Sequence, residues 1–231
     1  MNEVATIIPA GGSGKRYGGK VPKQYLELEG VPVIIRTMMN FQRCEDVSII
    51  IVAVAKEQIT LIKDLINEYN ITKVKNIVLG GTERIYSINN ALRAKAIDNC
   101  DIVLVHDAVR PFPGRKLITE IIKNAEEYGA AIPGLPPSET IKSADEDDYV
   151  KNTIDRSELR NIQTPQGFKL PIIKEAYRNA TDNNLFGTDD ASLVEHTGKK
   201  VKIIPGNRQN IKITTPFDMT IAKEILKNFI L

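Results

Sequence analysis

Residues 9–25 read PAGGSGKRYGGKVPKQY and place five glycines and four basic residues in seventeen positions. Glycine lets a backbone turn tightly and bring its N–H groups against phosphate oxygens with no Cβ in the way. Lys and Arg supply the countercharge. The stretch therefore predicts a phosphate cradle, and three kinds of loop fit it in part. Residues 14–20 match G-x-x-x-x-G-K, but Val21 stands where a hydroxyl would hold magnesium, and Pro22 blocks the helix that must follow. Gly12 and Gly14 begin a dinucleotide fingerprint, yet Tyr17 takes the third glycine site. The third kind is a nucleotidyltransferase loop: glycines wrap a triphosphate, an Arg inside caps it, and a Lys beyond a Pro reaches the α-phosphate. Arg16 and Lys23 stand in those places. The plain alternative is a solvated basic turn, which so many glycines after an apolar run argue against.

Further along, IVLVHDAVRPF sets Asp107 at the carboxyl end of an apolar strand, where ligands bind in open α/β sheets. A carboxylate there can hold Mg²⁺ that bridges phosphate oxygens. The alternative is a turn or cap Asp. His106 reads as a strand-end histidine with a backbone partner and no catalytic role. In NIKITT, strand alternation puts Asn210, Lys212 and Thr214 on one face and Ile211 and Ile213 on the other. Lys212 is then a second cation for reacting phosphates. TDDASLVE reads as a helix start, with Thr188 as cap and Asp189 and Asp190 in the first turn.

These residues need a scaffold. Short β-branched runs (VATIIPA, VSIIIVAV, VKNIVLGG, IVLV) alternate with helix-period stretches at 32–41, after Lys56, 84–97 and 114–128. That alternation predicts an α/β domain with a mostly parallel sheet. A short strand follows at 130–134. From about 135 to 163 the pattern breaks into prolines, an acidic DEDD turn and β-leaning pieces, which predicts a hairpin arm leaving the main sheet. An arm that cannot bury its own faces seeks a partner chain, so a homodimer is expected. Helices resume at 171–179 and 189–196, then a strand VKIIPG, and a last helix opens at Pro216 with Thr215 as cap.

Composition narrows the classes. The 231 residues suit a single domain, 1–231, with a sizeable core. Net charge is +2, so no global basic field marks a nucleic-acid binder. Two separated cysteines and two separated histidines form neither a disulfide framework nor a zinc pattern, which points to the cytoplasm. No export signal and no membrane span is expected.

Taken together, PAGGSGKRYGGKVPKQY, HDAVRPF, DRSELRNIQTPQGF, GTDDASLVE and NRQNIKITTPFD resemble, in order and over almost the whole chain, one family of cytidylyltransferases. Its members make 4-diphosphocytidyl-2-C-methyl-D-erythritol in non-mevalonate isoprenoid synthesis. A sister group acting on ribitol 5-phosphate shares the loop, HDAVRP and the NIK-TTP feature. DRSEL and TDDASLVE are more similar to the methylerythritol group. A nucleotide-binding protein without transferase activity is the alternative of another class.

The resemblance implies a three-layer Rossmann-like nucleotidyltransferase domain with a protruding β-arm, CTP and a polyol phosphate as substrates, and Mg²⁺. It assigns Arg16, Lys23 and Lys212 to catalysis. Ala10, Gly11, Gly12, Gly14, Gly81, Ser87 and Asp107 would bind nucleotide, with Asp107 as metal ligand. Arg110, Thr140, Arg156 and Thr164 would bind the acceptor, Thr140 and Arg156 from a partner's arm. Thr82 stands where Asp is common in such proteins.

Overall fold

The structure is a computed structural model that describes residues 2–12 and 21–228. In chain order it contains β1 (Val4–Pro9), β2 (Glu27–Leu28), β3 (Val31–Pro32), α1 (Val33–Arg43), β4 (Ile49–Val54), α2 (Ile59–Glu68), β5 (Val74–Leu79) and α3 (Arg84–Leu92). Then come β6 (Ile102–Val105), α4 (Gly114–Tyr128), β7 (Ala130–Leu135), β8 (Ile141–Ala144), β9 (Val150–Ile154), β10 (Asn161–Ile162) and β11 (Gln166–Lys169). The chain closes with α5 (Leu170–Asp182), α6 (Asp190–Glu195), β12 (Lys202–Pro205) and α7 (Pro216–Asn228).

Among the described residues, eight strands form one sheet in the order β10-β7-β11-β6-β1-β4-β5, with β12 beside β7. β1 pairs in parallel with β4 and β6, and β4 with β5. β11 runs antiparallel between β6 and β7. The period-2 geometry of a strand explains why these segments are apolar throughout. Val4 and Ile8 of β1 enter one core with α1, α2 and α4, whereas Ala5 and Ile7 enter another with α3, α5 and α6. Helices on both faces of a mostly parallel sheet give the three-layer α/β class that the alternation predicts.

The arm is real but narrower than 135–163. β8 and β9 pair as a separate antiparallel hairpin, while β10 has already rejoined the main sheet against β7. Every residue of β9 is exposed. The expected helix at 84–97 ends at Leu92, and a separate short turn covers Lys95–Ile97. The expected strand NIKITT is not one. Residues 210–214 run irregularly, with the Ile213 N–H donating to Val109 O across 2.9 Å and the Ile211 N–H to Gln209 O across 2.8 Å. At the last helix Thr215 does serve as cap: its hydroxyl accepts the Asp218 N–H (3.3 Å) while Asp218 accepts the Thr215 N–H (2.7 Å).

Candidate active site

β1 leads into the glycine loop. Gly14 and Arg16 lie outside the described residues; Ala10, Gly11 and Gly12 lie inside. The Ala10 N–H continues the sheet by donating to Ala53 O at 2.7 Å. The buried Gln24 side chain donates to Ala10 O (2.7 Å) and Gly12 O (3.0 Å), clamping the loop's first limb to its far side. Pro22 caps the short turn Lys23–Tyr25 with φ −60°. Its fixed φ ends the loop and starts the turn that carries the half-buried Lys23.

The loop after β5 comes alongside. A Cβ on Gly11 would sit 3.6 Å from Ser87 Oγ. Ser87 Oγ accepts the Gly81 N–H (3.0 Å) and donates to Glu83 O (3.2 Å), so this buried hydroxyl shapes the turn opening α3. A Cβ at Gly81 would fall 2.2 Å from Tyr86 Cβ, so no larger residue fits there without a shift.

The carboxyl end of β6 supplies the charge. Asp107 Oδ2 lies 3.0 Å from Lys212 Nζ and 3.1 Å from Arg110 Nε, and Oδ1 lies 3.8 Å from Arg84 Nε. Burial alone would raise the Asp107 carboxyl, but Lys212, then Arg84 and Arg110, outweigh it and hold the group far below the ordinary carboxylate range. Asp107 is therefore an anion at any physiological pH and cannot act as a general acid. Arg84 is also paired with a second carboxylate, Asp190, so three cations against two carboxylates leave one surplus positive charge, in a partly desolvated place where a bound polyanion is favoured.

Arg84 has a second anchor. Its two terminal nitrogens meet the Asp190 oxygens at 3.0 and 2.6 Å, and the Tyr177 hydroxyl donates to Asp190 at 2.5 Å. Asp190 has no exposed surface. Asp190 stands in the first turn of α6, as the sequence predicts, but the cap is Asp189, not Thr188, with Asp189 Oδ1 accepting the Ser192 N–H at 2.9 Å. Asp is a stronger cap than Thr, and this leaves the next carboxylate for Arg84. Gln166 braces the same helix start, donating to Asp189 Oδ2 (2.7 Å) and accepting the Ala191 N–H (3.0 Å). Sequence reasoning missed Gln24, Arg84, Gln166, Tyr177 and Asp190. One signal existed: Arg84 sits in the first turn of α3, where a cation opposes the helix dipole and needs an anionic partner.

The predicted residues thus divide. Lys212, Arg110 and Asp107 meet directly. Thr164 is buried beside them, its Oγ1 accepting the Asp107 N–H at 3.1 Å. His106 is wholly buried, and burial pushes its pKa down to about 4, so the ring is neutral. Thr140 and Arg156 stand exposed at the arm, with Arg156 donating to Ser138 O at 2.6 Å. Among the described residues of one chain, no hydrogen bond or ion pair joins them to the Asp107 cluster.

The carboxyl ends of parallel strands thus gather Ala10 and Gly11, the turn shaped by Ser87, and the cation cluster around Asp107. The profile of the IspD family, described as 2-C-methyl-D-erythritol 4-phosphate cytidylyltransferase, matches residues 4–228. The chain belongs to this family. A 2-C-methyl-D-erythritol 4-phosphate cytidylyltransferase of Syntrophus aciditrophicus is 40% identical over 97% of this chain and 96% of that protein. One from Bacillus mycoides is 42% identical over 95% and 96%. The crystal structure of 4-diphosphocytidyl-2C-methyl-D-erythritol synthase from Anaerococcus prevotii superposes with TM-score 0.85 at 32% identity, covering 98% of this chain and 99% of that one. The Thermus thermophilus cytidylyltransferase superposes with TM-score 0.80 at 29% identity over 97% and 99%. Membership in this family makes the chain a nucleotidyltransferase, and the irregular 210–214 segment, not a strand, is how this member presents Lys212.

Proposed function

We propose that the chain transfers CMP from CTP to 2-C-methyl-D-erythritol 4-phosphate and releases pyrophosphate, a step of non-mevalonate isoprenoid synthesis. The observation that carries this reading is the Asp107 cluster, with its surplus positive charge, at the end of the strand paired with β1 in a chain of this family. A phosphate oxygen of the acceptor forms a bond to the α-phosphorus of CTP. The bond from that phosphorus to the bridging oxygen of the β-phosphate breaks, and its electron pair leaves on pyrophosphate. The nucleophile is already an anion, so no general base is needed, in keeping with a neutral buried His106 and a fully ionised Asp107.

The barrier is charge repulsion, so catalysis is positioning and electrostatic stabilisation. Arg16 and Lys23 neutralise the triphosphate and the reacting α-phosphate. Lys212 exchanges Asp107 for a phosphate oxygen and draws the acceptor phosphate in. Ala10, Gly11, Gly12, Gly14, Gly81 and Ser87 shape the nucleotide pocket, and Arg110 and Thr164 border the acceptor.

Magnesium fits the donor set as a passenger on the triphosphate. Asp107 offers one carboxylate, and no group of three metal-ligating side chains exists among the described residues. Mg²⁺ is commonly held by one or two carboxylates plus substrate phosphates. When bound, it would neutralise phosphate charge.

The exposed arm supports a homodimer in which Thr140 and Arg156 of one subunit reach the other's acceptor phosphate, Arg156 through its two-pronged guanidinium. No helix among the described residues is long and apolar enough to cross a membrane. Two buried, unpaired cysteines and a small net charge support a cytoplasmic enzyme without nucleic-acid partners. The test is pyrophosphate release from CTP with no acceptor, with 2-C-methyl-D-erythritol 4-phosphate, and with ribitol 5-phosphate. Release confined to the first acceptor supports the reading; preference for ribitol 5-phosphate, or none with either, contradicts it.

A further inference from the structure

The turn that carries Asp107 and Arg110 begins at His106, a residue the proposed chemistry does not use. Its ring lies edge-on to Phe41, with centroids 5.0 Å apart, and has no exposed surface. Both ring nitrogens are engaged. Nε2 lies 2.9 Å from the Arg110 carbonyl oxygen, and Nδ1 lies 3.0 Å from Thr164 Oγ1. Thr164 Oγ1 is also 3.1 Å from the Asp107 amide nitrogen, which donates to it.

The proton positions follow from these partners. A carbonyl only accepts, so Nε2 carries the ring hydrogen. In a neutral imidazole Nδ1 is then an acceptor, and the Thr164 hydroxyl donates to it. One chain of donation runs from the Asp107 N–H through Thr164 and His106 to the Arg110 carbonyl. It begins and ends on Asp107 and Arg110, two of the charged residues of the site.

Other bonds pin the turn from outside. Thr37 donates to Ala108 O at 3.0 Å, and Asn40 to Pro111 O at 2.9 Å. The Arg110 N–H donates to Asp107 O at 3.1 Å within the turn itself. The His106 chain closes the opposite side, from the 107 amide to the 110 carbonyl. Arg110 then reaches back to Asp107 Oδ2 and, at 2.8 Å, to Asn210 O, two residues before Lys212. A rigid ring with one donor and one acceptor on opposite edges suits that span; a carboxylate or ammonium there would be charged and buried.

We infer that His106, acting through Thr164, is a positioning residue that sets the relative orientation of Asp107 and Arg110. The Thr164 proton is committed to His106, so Thr164 serves the turn before it serves any substrate. This inference rests on reading Asp107 and Arg110 as ligand-facing groups.

The experiment is steady-state kinetics with CTP and 2-C-methyl-D-erythritol 4-phosphate on Thr164→Val, Thr164→Ser, His106→Gln and the Thr164→Val/His106→Gln double variant. Thr164→Val and His106→Gln are each expected to lower kcat by about tenfold, the scale of one buried hydrogen bond, with KM little changed. Thr164→Ser restores the lost turnover. The double variant is no slower than the worse single one, because both break the same chain. A Thr164→Val effect confined to the acceptor KM, or additive losses in the double variant, overturns the inference. If His106→Gln fails to fold by circular dichroism, the Thr164 pair decides alone. Asp107→Ala and Arg110→Ala are run beside them: full activity in both overturns the reading of the turn itself, whereas their loss with normal Thr164→Val turnover overturns only the role of His106.

Discussion

Asp190→Ala is expected to damage the site through Arg84, which links Asp190 to Asp107, and its cost follows from the structure.

 The carboxylate has no exposed surface, accepts both terminal Arg84 nitrogens at 3.0 and 2.6 Å, and accepts the Tyr177 hydroxyl at 2.5 Å. Its removal leaves the buried Tyr177 hydroxyl without its partner and the Arg84 guanidinium with Asp107, 3.8 Å away, as its remaining carboxylate. Breaking one side of a buried ion pair costs about 3–5 kcal/mol. For a chain of this length each kcal/mol moves Tm by about 2–4 °C, so the melting temperature should fall by roughly 6–20 °C. Urea titration should show a lower midpoint with an unchanged slope. The double variant Arg84→Met/Asp190→Leu removes both charges and should recover most of that stability, because the penalty comes from the orphaned charge. It should not recover turnover, since Arg84 also faces Asp107 at 3.8 Å. An Asp190→Ala protein melting within about 2 °C of wild type, under 1 kcal/mol by the same scale, would refute the reasoning.

Three other outcomes are expected. Lys23→Ala should lower kcat by roughly 10²–10³ while the melting temperature holds, and near-normal turnover would remove Lys23 from the reaction. Mixing inactive Lys23→Ala and Arg156→Ala proteins should restore about a quarter of wild-type activity, because half of randomly paired dimers carry one intact shared site; no recovery after subunit exchange would argue for sites built within one chain. His106 takes its proton near pH 4 when folded, against 6.5 for the free side chain. The unfolded chain therefore binds more protons between those values, and stability should fall by about 3 kcal/mol as pH drops from 6.5 to 4, then level off. In magnesium-free buffer His106→Gln should lack that component, and equal slopes for both proteins would contradict it.

The strands were legible because each is a local pattern. VATIIPA is buried on both faces in β1, and its run of β-branched residues says so directly. Asp107 was legible from its place at a strand end. NIKITT misled, since alternation of Ile with polar residues also arises when an irregular segment drops Ile213 into the core and holds its N–H on Val109 O. Lys212 reaches Asp107 all the same. The Arg84–Asp190 pair was hidden because its partners come from different helices, α3 and α6, and no local period records such a contact. The arm was visible as a break in the α/β rhythm, but its end was not: β10 is only Asn161–Ile162, too short a segment to carry a strand pattern.

The most direct test of the central claim follows each phosphorus of CTP. Purified protein is given 2-C-methyl-D-erythritol 4-phosphate with CTP labelled on either the α- or the γ-phosphorus, and the products are separated. Cytidylyl transfer predicts α-label in a cytidine diphosphate ester of the polyol and γ-label in pyrophosphate. Alpha-label recovered as free CMP, or γ-label on the polyol, would contradict it by showing hydrolysis or phosphoryl transfer instead.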